Sequence, residues 1–154
     1  MALAACAGTQ KSLTTDSTRA ARHFNKAKEA YQSGELQKAI RRADKAIQKD
    51  STFSEAYLLA AEINLTRNRP KKSVPFLQKL IALDSSGYPI AYRWLGDIYF
   101  NGNQYQKAIP FYENYLKFKP DSDIRENLQL SKYRLEAMRE TDSLNIQNIG
   151  EGVN

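Results

Sequence analysis

The chain has 154 residues, of which 42% are hydrophobic and 26% are charged, and its formal net charge is +6 at pH 7. This composition excludes a disordered chain and a collagen, and the single Cys and single His exclude an intramolecular disulfide and a Cys-rich or His-rich metal site. Ala and Leu are frequent whereas Val is rare, so the composition predicts an all-α fold. No apolar run approaches the length of a membrane-spanning helix.

The positive charge is concentrated in the first third of the sequence. Residues 1–50 contain ten Lys or Arg and five Asp or Glu, whereas the remaining residues contain thirteen and twelve. The cations between Arg19 and Lys49 are spread around a predicted helix without interleaved aromatic residues, so a nucleic acid is not an expected partner. They indicate a solvated basic surface, with an anionic partner or membrane headgroups as the alternative.

The N-terminal segment, residues 1–18, has no apolar periodicity. The residues Leu3–Cys6 resemble the lipobox of bacterial lipoproteins, in which the Cys carries the lipid and becomes the mature N-terminus. Only Met1 and Ala2 precede this motif, so we expect the leader of such a lipoprotein to lie upstream of the present sequence. The polar stretch Thr9–Thr18 is typical of a flexible tether. The alternative is an Ala-rich start in which Cys6 is incidental.

The body of the chain, residues 19–142, is dominated by an internal repeat. The segments 20–53, 54–87 and 89–122 superimpose, and the first two abut, which gives a period of about 34 positions. The third segment matches the pattern of the tetratricopeptide repeat (TPR) family most fully, through the residues Trp94, Leu95, Gly96, Tyr99, Ala108, Tyr112 and Pro120. The chain therefore resembles this family, which implies a right-handed superhelix of three helix–turn–helix units. A generic array of helical hairpins or a four-helix bundle is the alternative.

Small residues recur where the two helices of each unit are expected to cross closely. One such position is occupied by Ala27, Ala61 and Gly96, and the second by Ala39, Ser73 and Ala108. The turns between the helices are predicted at 33–35, 67–69 and 101–103, where Gly and Asn are frequent.

A capping helix is predicted over Asp123–Glu140. Its apolar stripe consists of Ile124, Leu128, Leu135 and Met138, and its other face is charged. A solenoid needs such a helix to cover the apolar end of its last repeat.

Residues 143–154 are predicted to be a linker. The stretch Asn148–Asn154 resembles the opening of the first blade of a WD-repeat-like β-propeller. In bacterial envelope proteins, that propeller follows a TPR segment and precedes an OmpA-like peptidoglycan-binding domain. Together with the lipobox-like start, the architecture resembles the lipoprotein component of the type IX secretion and gliding machinery. This resemblance implies a lipid anchor on Cys6, a location on the periplasmic side of the outer membrane and contact with peptidoglycan through a downstream domain. A disordered tail is the alternative.

The sequence contains no recognisable catalytic constellation. No Gly-rich phosphate loop is present, His23 is the only His, and Cys6 has no partner placed by a known motif. We therefore expect no enzymatic activity, no cofactor and no metal.

Binding is the remaining prediction, because the first helix of each TPR pair lines a concave groove. The groove-facing positions of the family correspond here to Phe24, Lys28, Tyr31, Leu58, Glu62, Leu65, Arg93, Asp97, Phe100 and Asn101. TPR domains that clamp a C-terminal carboxylate carry Lys and Asn where this chain has Phe24 and Lys28, so we do not expect such a clamp. An apolar and aromatic floor with charges of both signs favours an extended or helical segment of a partner protein.

Two functions follow from these observations. The first is a non-catalytic scaffold of the bacterial envelope that is anchored through Cys6. The second is a cytosolic TPR adaptor or assembly cofactor without a membrane anchor.

Overall fold

In the computed structural model, residues 13–150 are described, with side chains described as far as Thr141. This part of the chain forms seven α-helices and no strand. Their bounds are α1 Thr18–Gln32, α2 Leu36–Lys49, α3 Ser54–Thr66, α4 Pro70–Leu83, α5 Pro89–Asn101, α6 Tyr105–Phe118 and α7 Ser122–Gly150. None of these helices combines the length and the apolar character needed to cross a lipid bilayer.

The helices pack as successive hairpins. The helix α1 packs mainly on α2, α3 on α4 and α5 on α6, while α2, α4 and α6 each contact the next helix along the chain. Each hairpin thus contacts only its neighbours, as expected of a solenoid. The predicted all-α superhelix is confirmed.

The three turns within the hairpins share one backbone conformation. Gly34, Asn68 and Asn103 have positive φ angles of 74°, 52° and 56°. The residue after each of them donates its N–H to a carbonyl five residues earlier, for example Glu35 to Ala30 at 2.8 Å. This left-handed termination favours Gly and is tolerated by Asn. In the third turn the left-handed residue is therefore Asn103, and the neighbouring Gly102 has an ordinary φ of −88°.

The small residues predicted at the helix crossings are all buried: Ala27, Ala61, Gly96, Ala39, Ser73 and Ala108. In the second hairpin, the Ser73 hydroxyl donates to the carbonyl of Ala61 at 2.9 Å, so the polar atom is satisfied. In the third hairpin, a Cβ on Gly96 would lie 2.5 Å from the ring of Tyr112. The absence of a side chain at Gly96 therefore makes room for this aromatic ring.

The buried faces of the first hairpin consist mainly of alanine. They include Ala20, Ala27 and Ala30 on α1 and Ala39, Ala43 and Ala46 on α2. The later hairpins bury larger side chains, including Leu77, Leu80, Leu95, Tyr112 and Tyr115. The amount of apolar side chain enclosed by a hairpin therefore increases along the chain.

Part of the predicted tether is attached to the repeats. The Thr14 hydroxyl donates to Glu55 Oε2 at 2.6 Å and accepts from the N–H of Ser54 at 3.1 Å. The Thr15 hydroxyl donates to Asp50, and Ser17 caps α1 by accepting from the N–H of Ala20. Within the predicted tether, Thr14, Thr15 and Ser17 therefore contact the repeats, because their hydroxyl groups bind carboxylates and a helix end. Cys6 and the lipobox-like motif lie outside the described residues.

The last helix is longer than predicted. It continues to Gly150, ten residues beyond the predicted end at Glu140, and thus through most of the predicted linker. Neither Pro nor Gly occurs between Asp121 and Ile149, so nothing in that stretch breaks the helix. The remaining residues 151–154 of the propeller-like stretch lie outside the described residues.

Candidate partner-binding groove

Two recesses lie between the first helices of adjacent hairpins. The first recess, of about 240 Å³, is lined by Phe24, Lys28, Tyr31, Gln32, Glu55, Leu58, Leu59 and Glu62. The second recess, of about 310 Å³, is lined by Leu65, Pro70, Lys71, Trp94, Asp97, Ile98, Asn101 and Gly102. Eight of the ten predicted groove residues line one of these recesses, and the other two, Arg93 and Phe100, line neither.

Aromatic and apolar side chains form the floor of the first recess. Phe24 is only 6% exposed, and its ring centroid lies 4.9 Å from that of Phe53. Tyr31 is half-buried and donates its hydroxyl to Glu62 Oε1 at 3.3 Å. The Lys28 ammonium lies 5.8 Å from the centre of the Phe24 ring, within the range of a cation–π contact. Phe24 thus forms part of the floor of the recess, and Phe53 packs against its ring.

Glu55 joins the first recess to the N-terminal segment. Its carboxylate accepts hydrogen bonds from the N–H and the hydroxyl of Thr14, at 3.2 and 2.6 Å. The charge of Glu55 also acts on a second neighbour, Tyr88. Burial and then this charge raise the pKa of the Tyr88 phenol to about 12, so the phenol stays protonated at neutral pH. Thr14 therefore lies at the edge of the first recess, next to Glu55.

The second recess contains a tryptophan that the sequence analysis did not assign to the groove. Trp94 is half-buried, and it lines the recess together with Leu65 and Ile98. The sequence analysis used Trp94 only as a mark of the repeat pattern. Its place on the first helix of the third repeat, the helix that lines the groove, was a signal that could have assigned it to binding. Lys71 and Asp97 provide one charge of each sign beside these apolar side chains.

A polar cluster lies next to the second recess. The Tyr112 hydroxyl donates to Asp97 Oδ1 at 2.9 Å, and the Tyr115 hydroxyl donates to Asp121 Oδ2 at 3.2 Å. Arg93 lies between the two carboxylates, with its Nε 3.8 Å from Asp97 Oδ2 and its Nη1 3.4 Å from Asp121 Oδ2. Arg93 is thus paired within the protein, and burial raises the pKa of Asp97.

The cluster predicts that Asp121→Asn changes how stability depends on pH. The N–H of Ile124, at 3.2 Å, and then the Tyr115 hydroxyl and Arg93 lower the pKa of Asp121 below its usual 3.8. A carboxylate with a lowered pKa stabilises the fold above its unfolded-state pKa, and this contribution disappears as the pH falls through the folded-state pKa. Urea unfolding should therefore show the largest difference between the wild type and Asp121→Asn above about pH 5, and a smaller one near pH 3. A difference that stays constant over this range would contradict the stabilising role of the Asp121 charge.

Phe100 is partly buried against the core of the third hairpin. Its ring centroid lies 5.7 Å from that of Tyr105, edge to face, and 6.3 Å from that of Tyr112. These contacts direct Phe100 towards α6, away from both recesses.

The usual metal ligands among the described residues are acidic side chains and a single histidine, His23. The described residues contain no group of three or more His, Cys, Asp or Glu side chains that could hold a metal ion. The Nδ1 atom of His23 is buried without a hydrogen-bond partner, and both burial and four nearby cations lower the His23 pKa. The imidazole of His23 lines neither recess.

Family models match most of the repeat region. One model, described as tetratricopeptide repeat, matches residues 24–88, and a second model with the same description matches residues 89–122. No curated protein matches the chain.

Solved structures of TPR proteins superimpose on the chain. A MamA protein matches with a TM-score of 0.68 and 25% identity, over 80% of this chain and 68% of that chain. The first TPR domain of Spaghetti (RPAP3), bound to an HSP90 peptide, matches with a TM-score of 0.68 and 20% identity, over 79% of this chain and 97% of that one. The TPR2B domain of yeast Sti1, in a complex with pHsp70, has a TM-score of 0.65 and 13% identity, over 77% and 99% of the two chains. At these lower identities, the last two structures show the shared fold alone.

Proposed function

The chain belongs to the tetratricopeptide repeat family, and from that premise we propose that it is a non-catalytic module that binds a segment of a partner protein. The fold matches interaction modules that have been solved with peptides, namely the domains of Spaghetti and Sti1. The observation that carries the proposal is the pair of recesses bordered by α1, α3 and α5, each with an apolar floor and charged edges. A segment of the partner that lies across α3 would place one side chain in each recess.

The charges of the first recess define the partner's chemistry. Glu55 and Glu62 face a single cation, Lys28, so the carboxylates are in excess. A C-terminal carboxylate would be repelled by them, which agrees with the absence of the Lys and Asn of the carboxylate clamp. We propose instead that the segment inserts an apolar side chain above Phe24 and Leu58 and carries a Lys or Arg next to it.

Leu58→Lys is expected to abolish this binding. Leu58 is half-buried in the first recess, and a lysine there would obstruct the apolar floor and repel the cation of the partner. The probe is a set of peptides selected on the wild-type protein from a phage-displayed random library, with affinities measured by fluorescence anisotropy. We expect the selected peptides to combine apolar residues with Lys or Arg. Leu58→Lys should weaken the affinity of the protein for these peptides by about 1–3 kcal/mol, roughly 5- to 150-fold.

The matched control is Leu130→Lys, because Leu130 is also half-buried but lines neither recess. This variant should bind the peptides like the wild type. If the two variants lose affinity equally, or if no peptide is enriched, the groove is not the binding site.

We also propose a cellular location for this module, which rests on the resemblance of its sequence to bacterial envelope lipoproteins. The lipobox-like Leu3–Cys6 and the propeller-like Asn148–Asn154 suggest a scaffold on the periplasmic side of the outer membrane, in a type IX-like secretion or envelope-assembly complex. In such a protein, Cys6 carries the lipid anchor and a downstream domain contacts peptidoglycan.

Cys6→Ser tests this location. Expressed at full length in a Gram-negative host, the protein should incorporate labelled palmitate and sediment with membranes, and Cys6→Ser should abolish both because the thiol that accepts the lipid is lost. Palmitate incorporation that persists in Cys6→Ser would refute the lipobox. A wild-type protein that is unlabelled and stays in the soluble fraction would favour the cytosolic adaptor.

A further inference from the structure

A strip of cations follows the outer side of the first hairpin. It consists of Lys26 on α1 and Arg42, Lys45 and Lys49 on α2, and we name it the basic seam. The three residues of α2 are spaced by three and four positions and so share one face of the helix. Lys26, Lys45 and Lys49 are exposed, and Arg42 is half-buried.

The basic seam is not neutralised by salt bridges within the described part of the chain. Among the described residues, the salt bridges involve Lys38, Arg93 and Lys132, and none of the four seam residues. All four seam cations act on His23. Burial is the largest cause of the lowered pKa of His23, and the charges of these four cations lower it further. Lys26 and Arg42 also line one recess, which places the cation of α1 beside those of α2.

The basic seam lies on a side of the first hairpin that no other described repeat covers. Ile40 and Ile47 belong to the other side of α2, where they pack in a cluster with Phe53 and Leu59. The hydrogen bond between Thr15 and Asp50 also brings the N-terminal segment beside Lys49, at one end of the seam. The exposed side chains of Lys26, Lys45 and Lys49 are therefore accessible to a flat surface on this side of the hairpin.

The arrangement of charges and aromatic residues on this surface discriminates between anionic partners. Near the hairpin turn, a recess of about 400 Å³ is lined by three cations, Lys26, Lys38 and Arg42, and by two carboxylates, Glu29 and Glu35. The two carboxylates offset two of these three cations, so the interior of the recess is only weakly positive and most of the positive charge of the seam lies on the open surface outside it. The exposed cations outside this recess, Lys45 and Lys49, have no aromatic residue beside them on which nucleic-acid bases could stack.

We propose that the basic seam is a docking surface for the anionic phospholipid headgroups of a membrane. Clustered Lys and Arg are attracted to such a surface over about a Debye length, roughly 10 Å at 0.1 M salt. The seam is separate from both recesses, so docking would leave the groove open to its partner. This proposal does not rest on a lipid at Cys6, which would act in addition.

The test is co-sedimentation of the unlipidated protein with vesicles at low salt. Phosphatidylcholine vesicles with about 30% phosphatidylglycerol are compared with pure phosphatidylcholine vesicles. We expect the wild type to bind only the anionic vesicles and to dissociate as salt is raised. Lys45→Glu/Lys49→Glu should lower the bound-to-free ratio by about 30-fold or more, since each cation near the membrane contributes about 1 kcal/mol.

The matched control is Lys72→Glu/Lys79→Glu, which makes the same charge change at two exposed residues of α4 outside both recesses. This control should retain binding, and circular dichroism should show the helical spectrum of the wild type for both variants. Equal loss in the two variants would overturn the proposal in favour of an effect of net charge. Absence of binding by the wild type would also overturn it, as would binding to soluble poly-glutamate in preference to the vesicles.

Discussion

Gly96→Ala is expected to destabilise the domain, although replacing Gly by Ala within a helix normally stabilises it by about 0.5–1 kcal/mol. A Cβ at this position would lie 2.5 Å from the ring carbons Cδ1 and Cε1 of Tyr112. At this distance either the backbone at residue 96 or the ring of Tyr112 must move. Tyr112 is fully buried and donates a hydrogen bond to Asp97, so a shift of its ring would also weaken that bond. Gly96→Leu should cost more than Gly96→Ala, about 1–3 kcal/mol or above, because larger side chains overpack the crossing further.

Urea denaturation of both variants measures this effect. The control is Ala82→Leu, since Ala82 is an exposed residue of α4 and should change stability by no more than about 0.5 kcal/mol. If Gly96→Leu unfolds at the same urea concentration as the wild type, Gly96 does not lie at a close helix crossing.

Phe53→Ala should produce a second large loss of stability. Phe53 has no exposed surface, and its ring packs at 4.9 Å from that of Phe24, at the junction of the first and second hairpins. Truncation of a buried Phe typically costs 3–5 kcal/mol, so we expect about that loss in the free energy of unfolding. Because Phe24 forms the floor of the first recess, the variant should also bind groove ligands less tightly.

Phe118→Ala is the matched control for Phe53→Ala. Phe118 also stacks on an aromatic ring, that of Tyr92 at 5.9 Å, but 44% of its surface is exposed. Its truncation should therefore cost much less than that of Phe53, about 1 kcal/mol. Equal losses in the two variants would mean that Phe53 is not an anchor of the hairpin junction.

The sequence was sufficient to predict the six helices of the repeats and their crossings, because both follow from local rules that recur in each repeat, whereas the last helix lies outside the repeats and its end was not predicted. The recurrence of a small residue at the same repeat position, at Ala27, Ala61 and Gly96, requires paired helices that approach closely. The turns were predictable for the same reason, although the choice of Asn103 over Gly102 as the left-handed residue was not. Asn tolerates this conformation, so the composition of that turn allows two registers.

The interior of the groove depends on contacts between distant residues, which the repeat pattern does not contain. Phe24 was predicted as a binding residue, and Phe53, a residue between two helices, packs against its ring. Arg93 was predicted to face a partner, and the structure adds an ion pair between it and the carboxylate of Asp121 in the loop before α7. The contribution of Trp94 to the second recess depends likewise on how α5 packs beside α3 and α4.

The alanine-rich interior of the first hairpin has a consequence for how the molecule opens. Ala20, Ala27, Ala39 and Ala43 bury little apolar area per residue, whereas the hairpins after them enclose leucine and tyrosine side chains. In a solenoid whose stability is a sum over neighbouring units, the backbone amides of α1 and α2 should therefore exchange with deuterium before those of the other hairpins. A ligand held between α1 and α3 would slow that exchange, so ligand binding and the fraying of this end are thermodynamically linked.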